Sequence, residues 1–350
     1  MIDPYLKNIP DIDIPKKEKG LNICVFSDYN IAGNLTLITS LINKYTIHKA
    51  RCIIVIGDYL DYAKDIVLIK DPNFPIEKET AIEASEIIRK ADFFHIGRRV
   101  INFADIDFSK ILNRHNCVFK YFGSYLRDNQ ELIRKFHEES GIHGVSGNDW
   151  TMKENSGFMH SHFTHIYDAK NVIPWYQQAS DNLKLDPIRI VHSPTNRGFK
   201  KTDLFLKIIE KLKKDFNIDL ILLEGLSNSE CMKRKSVAHV AFDQISVGAF
   251  GLTAVESMAA GQAVLCSISN FVEPVFPDHP VIPVTENTLE AELRLLLSDK
   301  ARILDVGIKG REWVLKHCDP IKAVKQWIYL YDLIMNGNRM IENDDFFINT

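Results

Sequence analysis

The chain has 350 residues, of which 45% are hydrophobic and 25% charged, with a formal net charge of −3. This length exceeds one comfortable core and favours two domains, and the near-neutral balance excludes a large basic face for nucleic acid. Residues 1–20 carry prolines and acids where a secretory leader needs an apolar core, and no later run reaches the length of a membrane span, so a cytoplasmic enzyme is expected.

Short β-branched runs alternate with longer amphipathic ones, the pattern of βαβ units around parallel sheets. Strands are expected at 21–26 (LNICVF), 51–56 (RCIIVI), 92–96 (DFFHI), 116–122 (NCVFKYF) and 142–146 (IHGVS), with helices over about 34–45, 77–90 and 128–139. The segment 171–187, NVIPWYQQASDNLKLDP, reads as a linker. A second set of strands follows at 188–192 (IRIVH), 218–223 (IDLILL), 238–242 (AHVAF) and 263–268 (AVLCSI). The expected division is a first domain over 1–173, a second over 174–318, a last helix over 319–335 and a tail over 336–350. In that helix Asp319 can cap, Pro320 suits the first turn, and Ile321, Val324, Ile328 and Tyr331 share a face with Trp327 beside them. The stripe either completes the second domain or crosses back to the first.

Cys24, Cys52, Cys117 and Cys266 lie in apolar runs, and with Cys231 and Cys318 they show no CxxC spacing, so neither disulfides nor zinc are expected. His160, His162 and His165 in FMHSHFTHI lie close together, but the surrounding pattern matches no metal motif, and loop or acceptor-side histidines are the preferred reading. The first strand is not followed by GxGxxG, and the chain has no GxxxxGK[ST], which argues against a dinucleotide dehydrogenase and a P-loop NTPase. The MKRK run at 232–235 reads as solvated helix surface.

Two stretches carry chemistry. Residues 247–265, VGAFGLTAVESMAAGQAVL, give a glycine-flanked loop, a short helix and a strand. With the helix starting near Gly251, Thr253 and Glu256 share a face while Leu252, Val255 and either Met258 or Ala259 turn toward a sheet. Ligands of open α/β sheets bind beyond the carboxyl ends of the strands, where a carboxylate suits a vicinal diol and a helix N-terminus suits an anion. The plainer alternative for Glu256 is a solvated surface side chain. The second stretch, VHSPTNRGFKKTDLFLKIIEKL at 191–212, places Arg197, Lys200 and Lys201 at the start of a helix, where cations oppose the dipole. An anionic ligand would relieve that conflict, and a basic solvated face is the alternative. His95, His192, Thr195, Asn196, Asp243 and Gln244 fall at strand ends or just beyond and are candidates to line a cleft, with a satisfied structural histidine the commoner outcome for His95 and His192.

Together these stretches make residues 187–335 resemble the carboxyl-terminal domain of GT-B glycosyltransferases of the group 1 (GT4-like) kind. GAFGLTAVESMAAGQAV is similar to that family's E-G-F-G-L-x-x-x-E-A-M-A-x-G-x-P-V. The resemblance implies an α/β protein of two doubly wound Rossmann-like domains facing a central cleft. It implies that Lys200 contacts the donor diphosphate with Arg197 as companion, both catalytic, and that Glu256 binds ribose. Gly251, Leu252, Thr253 and Glu224 then belong to the donor site, and Gly33, in the IAGN of 31–34, to a glycine-rich loop of the first domain. The implied activity is retaining transfer of a sugar from a nucleoside diphosphate sugar to a hydroxyl of a saccharide or lipid-linked saccharide, in bacterial surface polysaccharide or glycoconjugate synthesis. No cofactor, required metal or nucleic acid is implied, and a lipid-linked acceptor would bring the protein to the inner face of the membrane. Two positions depart from the family: its first motif glutamate is Gly248 here, and a histidine of its first domain is Phe122. They leave two other readings open, a nucleotide-sugar epimerase or hydrolase and a non-catalytic nucleotide-sugar-binding partner subunit.

Overall fold

A computed structural model of the protein describes residues 19–57, 60, 62–71, 73, 75–121, 123–147, 159–161, 166–178, 184–270, 272 and 276–337. They form two compact units: the described residues up to Ile166 together with Pro320 onward, and Tyr167–Asp319. The first break precedes the expected one at 173. The Tyr167 N–H donates to the Cys318 carbonyl (3.1 Å), and the Trp175 indole donates to the Gly261 carbonyl (2.6 Å), which ties the connecting segment to the second unit.

The first unit runs β1 (Asn22–Tyr29), α1 (Asn34–Tyr45), β2 (Lys49–Ile56), β3 (Ile66–Ile69), α2 (Lys78–Lys90), β4 (Phe93–Gly97), α3 (Phe108–Ile111), β5 (Cys117–Tyr121), α4 (Gly123–Asp128), α5 (Gln130–Ser140), β6 (His143–Gly147) and β7 (Met159–Ser161). Its sheet is parallel, in the order β3-β2-β1-β4-β5-β6-β7. β4 and β5 are buried along their whole length, which explains why they read as mostly apolar runs without alternation, interrupted by His95 and Lys120. The four-residue β3 was not among the expected strands, since its short IVLI run lies between charged residues.

The second unit runs β8 (Ile188–His192), α6 (Thr202–Leu212), β9 (Ile218–Leu222), α7 (Asn228–Lys235), β10 (Val240–Phe242), α8 (Leu252–Ala259), β11 (Ala263–Cys266), β12 (Ile282–Pro283), α9 (Leu289–Ser298) and α10 (Lys300–His317). Its sheet is parallel in the order β12-β11-β10-β8-β9. The chain steps from β8 outward to β9, then returns to place β10 on the other side of β8. Between β8 and β10 the winding direction reverses, and at such a reversal the connections diverge and open a crevice at the carboxyl edge.

The last helix, α11 (Pro320–Met335), belongs to the first unit. Val324, Trp327, Ile328 and Tyr331 are buried against a layer that includes Val25, Ile38 and Phe93. Two polar contacts fix its register. The Tyr331 hydroxyl lies 2.6 Å from His95 Nδ1, and the Trp327 ring lies 4.9 Å from the Lys120 ammonium. Lys120 is 4% exposed and donates to the Asn34 side chain (2.8 Å) at the start of α1; burial pushes its pKa down to about 7.

Trp327→Ala is expected to lower the stability of the first unit by about 3–5 kcal/mol, read as a shift in its urea midpoint. Lys120 gives stability a pH dependence. Below about pH 7 it is protonated in both states, whereas between about 7 and about 10.5 the unfolded chain holds a proton that the folded one has released. Stability from this group therefore rises with pH across that window. Urea midpoints of the wild type and Lys120→Met, taken at pH 6 to 10, should converge toward the alkaline end.

Candidate functional site

At the reversal in the second unit, His192, Leu222 and Phe242 end neighbouring strands in register, and Leu265, next to last in β11, lies beside Phe242. The loops beyond them bring four of the candidate residues together. Lys200 leaves the turn after β8, Asp243 follows β10, and Gly251 opens α8; the Lys200 ammonium is ion-paired to Asp243 Oδ1, and the Gly251 N–H donates to Asp243 Oδ2 (3.0 Å). Gln244 holds the intervening loop. Its side-chain nitrogen donates to the Ala249 carbonyl (2.7 Å), and its oxygen accepts from the Ser246 and Val247 N–H groups (2.7 and 2.8 Å).

Asp243 is 1% exposed. Desolvation works to raise its pKa, but the adjacent Lys200, the Gly251 N–H and the more distant Lys235 outweigh that and hold the carboxyl below its usual range. It is an anion throughout the neutral range.

Glu256 is not a solvated surface residue. It is 6% exposed, on an α8 whose residues from Ala254 onward are buried. Its Oε2 accepts from Lys235 Nζ (2.9 Å) and its Oε1 from the Asn228 side chain (3.2 Å). Both partners come from α7, two turns apart on one face. Each carboxylate oxygen has two lone-pair directions, so one acceptor site on each remains for a pair of hydroxyls. Lys235 corrects the reading of MKRK as solvated: the run's last lysine is 1% exposed and points inward. A helix that ends in a strand-forming VAHVAF was the available signal, because the final turn of such a helix lies against the sheet.

Other candidates are drawn into local ion pairs or the core. Arg197 donates to Glu224 (2.8 Å) and to Asp203 (3.0 Å), and Lys201 pairs with Glu286 (3.0 Å). Carboxylates thus relieve the clash between these cations and the helix dipole. Asn196 shapes the turn by accepting from the Phe199 N–H (2.9 Å), and Thr195 is exposed beside it. Leu252 and Thr253 are half-buried at the start of α8. His192 is a core residue and does not line a cleft. It is 1% exposed, its ring nitrogens meet the Phe242 carbonyl and the Thr202 hydroxyl (both 2.9 Å), and burial pushes its pKa down to about 4. His95 is likewise buried, under α11.

Gly248 has a structural role of its own. Its φ is +74°, its N–H donates to the Ser267 hydroxyl (2.8 Å), and its carbonyl accepts from the Ser269 N–H (2.7 Å). A Cβ at this position would lie 2.8 Å from Ser269 Cβ. The loop is built around a residue with no side chain, so the carboxylate that the family pattern puts here has no place in this backbone. In the first unit Gly33 also has positive φ (+67°), and a Cβ there would fall 2.3 Å from the Tyr62 ring. It precedes α1, which has no side-chain N-cap. Phe122, His162, His165 and the side chain of His160 lie outside the described residues. Among the described residues no group of three or more His, Cys, Asp or Glu side chains could hold a metal ion, and no helix is long and apolar enough to cross a membrane.

No family model matches the chain, and no curated protein matches it in sequence. Solved structures do match in fold. A glycosyltransferase from Rickettsia africae is 14% identical with a TM-score of 0.60, over 92% of this chain and 100% of that one. An alpha-glucosyltransferase in complex with UDP-glucose and DNA containing an abasic site is 15% identical with a TM-score of 0.59, over 89% and 99%. Sucrose-phosphate synthase from Thermosynechococcus elongatus is 14% identical with a TM-score of 0.58, over 90% and 99%. At these identities the likeness is one of fold, and with the two parallel sheets it establishes the chain as a GT-B fold protein of two Rossmann-like units.

Proposed function

We propose that the protein is a glycosyltransferase that moves a sugar from a nucleoside diphosphate sugar to a hydroxyl acceptor. The observation that carries this reading is the meeting of Lys200, the α8 N-terminus and the buried Glu256 at the carboxyl edge where β8 and β10 diverge. The ribose diol donates to the two outer lone pairs of Glu256. Lys235 and Asn228 hold the carboxylate in one orientation before the ligand arrives, so aiming it costs little on binding. The diphosphate lies toward Gly251, Leu252 and Thr253, within reach of Lys200, with Arg197 and Glu224 at the rim.

In the reaction the bond between the anomeric carbon and the leaving phosphate oxygen breaks as the acceptor oxygen bonds to that carbon. The acceptor's proton passes to the departing phosphate. Negative charge grows on the leaving oxygen, and a fixed cation or N–H there lowers the barrier; loss of one such donor costs about 10²- to 10³-fold in rate in comparable oxyanion sites. Retention at the anomeric carbon by this front-face route, with no separate protein nucleophile, is part of the proposal. So are a saccharide or lipid-linked saccharide acceptor, a role in bacterial surface polysaccharide or glycoconjugate synthesis, a cytoplasmic setting and independence from a bound metal. A fold relative whose structure holds UDP-glucose makes uridine nucleotides the first to test. The glycine-only backbone at Gly248 favours one second reading, a nucleotide-sugar-binding subunit that does not itself transfer.

Calorimetry with UDP, GDP, ADP, dTDP and CMP tests the site. One diphosphate is expected to bind, and Lys200→Ala and Glu256→Gln should each weaken it by more than about 1 kcal/mol. Binding that ignores both substitutions refutes the assignment. Binding without turnover of the matching nucleotide sugars, with or without saccharide acceptors, supports the second reading instead. The buried pair makes its own prediction: Glu256→Ala strands the Lys235 ammonium and should cost about 3–5 kcal/mol of stability, most of it recovered by adding Lys235→Met, as read by urea unfolding.

A further inference from the structure

We propose that Asp243 holds Lys200 in the nucleotide-free protein in place of the donor's leaving phosphate, so that Lys200 exchanges the Asp243 carboxylate for the diphosphate on binding and returns to it on release. This rests on the donor site proposed above and adds to it a residue that sets how tightly the diphosphate is held.

The geometry is that of an anion already in place. The Lys200 ammonium, assigned to the diphosphate, is bound by one oxygen of the Asp243 carboxylate, and the Gly251 N–H that opens α8 is bound by the other. Lys200 is on the solvent side, with its side chain 14% exposed against 1% for Asp243, so an arriving anion meets the ammonium before the carboxylate. A lysine suits the exchange because it carries a compact charge on a flexible stem, whereas a guanidinium fork would be fixed to its partner.

Asp243 is not left bare when Lys200 moves. Its Oδ2 keeps the Gly251 N–H and lies 3.8 Å from the Cys266 thiol, and Lys235 still acts on it from a distance. Nor does the backbone have to rearrange, since Gln244 pins the 246–249 loop through contacts that do not involve Lys200. The exchange is confined to one side chain. Its effect is to weaken diphosphate binding by the free energy of the displaced ion pair and to give Lys200 a waiting partner when the diphosphate leaves.

The test is a double-mutant cycle with inorganic pyrophosphate and with the nucleoside diphosphate that the wild type binds. Asp243→Asn retains an oxygen for the Gly251 N–H but removes the competing charge. It is expected to tighten both ligands by about tenfold or more, with slower dissociation, and the gain should vanish in the Lys200→Met background. Unchanged or weaker binding in Asp243→Asn overturns the proposal and makes Asp243 a residue that orients Lys200. A wild type that binds none of the nucleotides sinks the donor-site reading, and this inference with it, before any variant is compared. The wild type alone gives a second measurement should the variant not fold. On pyrophosphate titration the Lys200 side-chain ¹⁵N resonance should shift strongly, and a Lys200 signal that stays put refutes the exchange.

Discussion

Two oxygens of one buried carboxylate hold the second unit's carboxyl edge together. Asp243 binds the turn after β8 through Lys200 and the start of α8 through the Gly251 N–H, so the segments that leave the paired strands β8 and β10 are fixed relative to each other beyond the sheet. Glu224 after β9 apart, the second-unit residues assigned to nucleotide recognition lie on those two segments or on the helices beside them. Removal of that anion would leave an ammonium and a helix N-terminus, both positive, facing each other across the crevice.

Glu256 and Lys235 form a second buried pair close by, near enough for Lys235 to act on Asp243. Buried pairs of this kind rarely add stability, because desolvation of both ions offsets their attraction, and well-packed apolar residues would do as well or better. Two of them at one sheet edge are hard to explain by folding alone. They make sense as preorganised polar groups whose orientation is set before a ligand arrives. The rim behaves differently: Arg197, Glu224 and Asp203 are solvent-exposed, and their mutual pairing holds the rim's charge with little energy.

How far the sequence reveals this depends on the length scale. Periodicity places α1 at 34–45 and the main strands of both sheets, because parallel strands buried on both faces leave short, largely apolar runs without alternation. The IVLI of β3 is too short to stand out, and the two-residue β12 has no pattern at all. Glu256 and Lys200 are legible from their loop-to-helix context. Asp243 is a cleft candidate by its place after a strand, but its pairing with Lys200 and that of Lys235 with Glu256 are not legible, because they are tertiary contacts of 43 and 21 residues' separation. For His192 the sequence leaves a cleft-lining and a structural histidine open, and the Phe242 carbonyl and the Thr202 hydroxyl, which use both of its nitrogens, decide for the structural one.

The return of α11 to the first unit has a consequence for synthesis. The chain finishes Tyr167–Asp319 before it makes the helix that covers one face of the earlier sheet. During translation, then, the second unit has all its elements while His95, Lys120 and the apolar layer around Val25 and Phe93 still lack Trp327 and Tyr331. The nascent first unit carries an open hydrophobic face for the time taken to make the second, the condition under which chaperones engage a chain. A fragment cut at the unit boundary keeps that face open permanently, so the first unit cannot be produced as a closed domain without its distant helix.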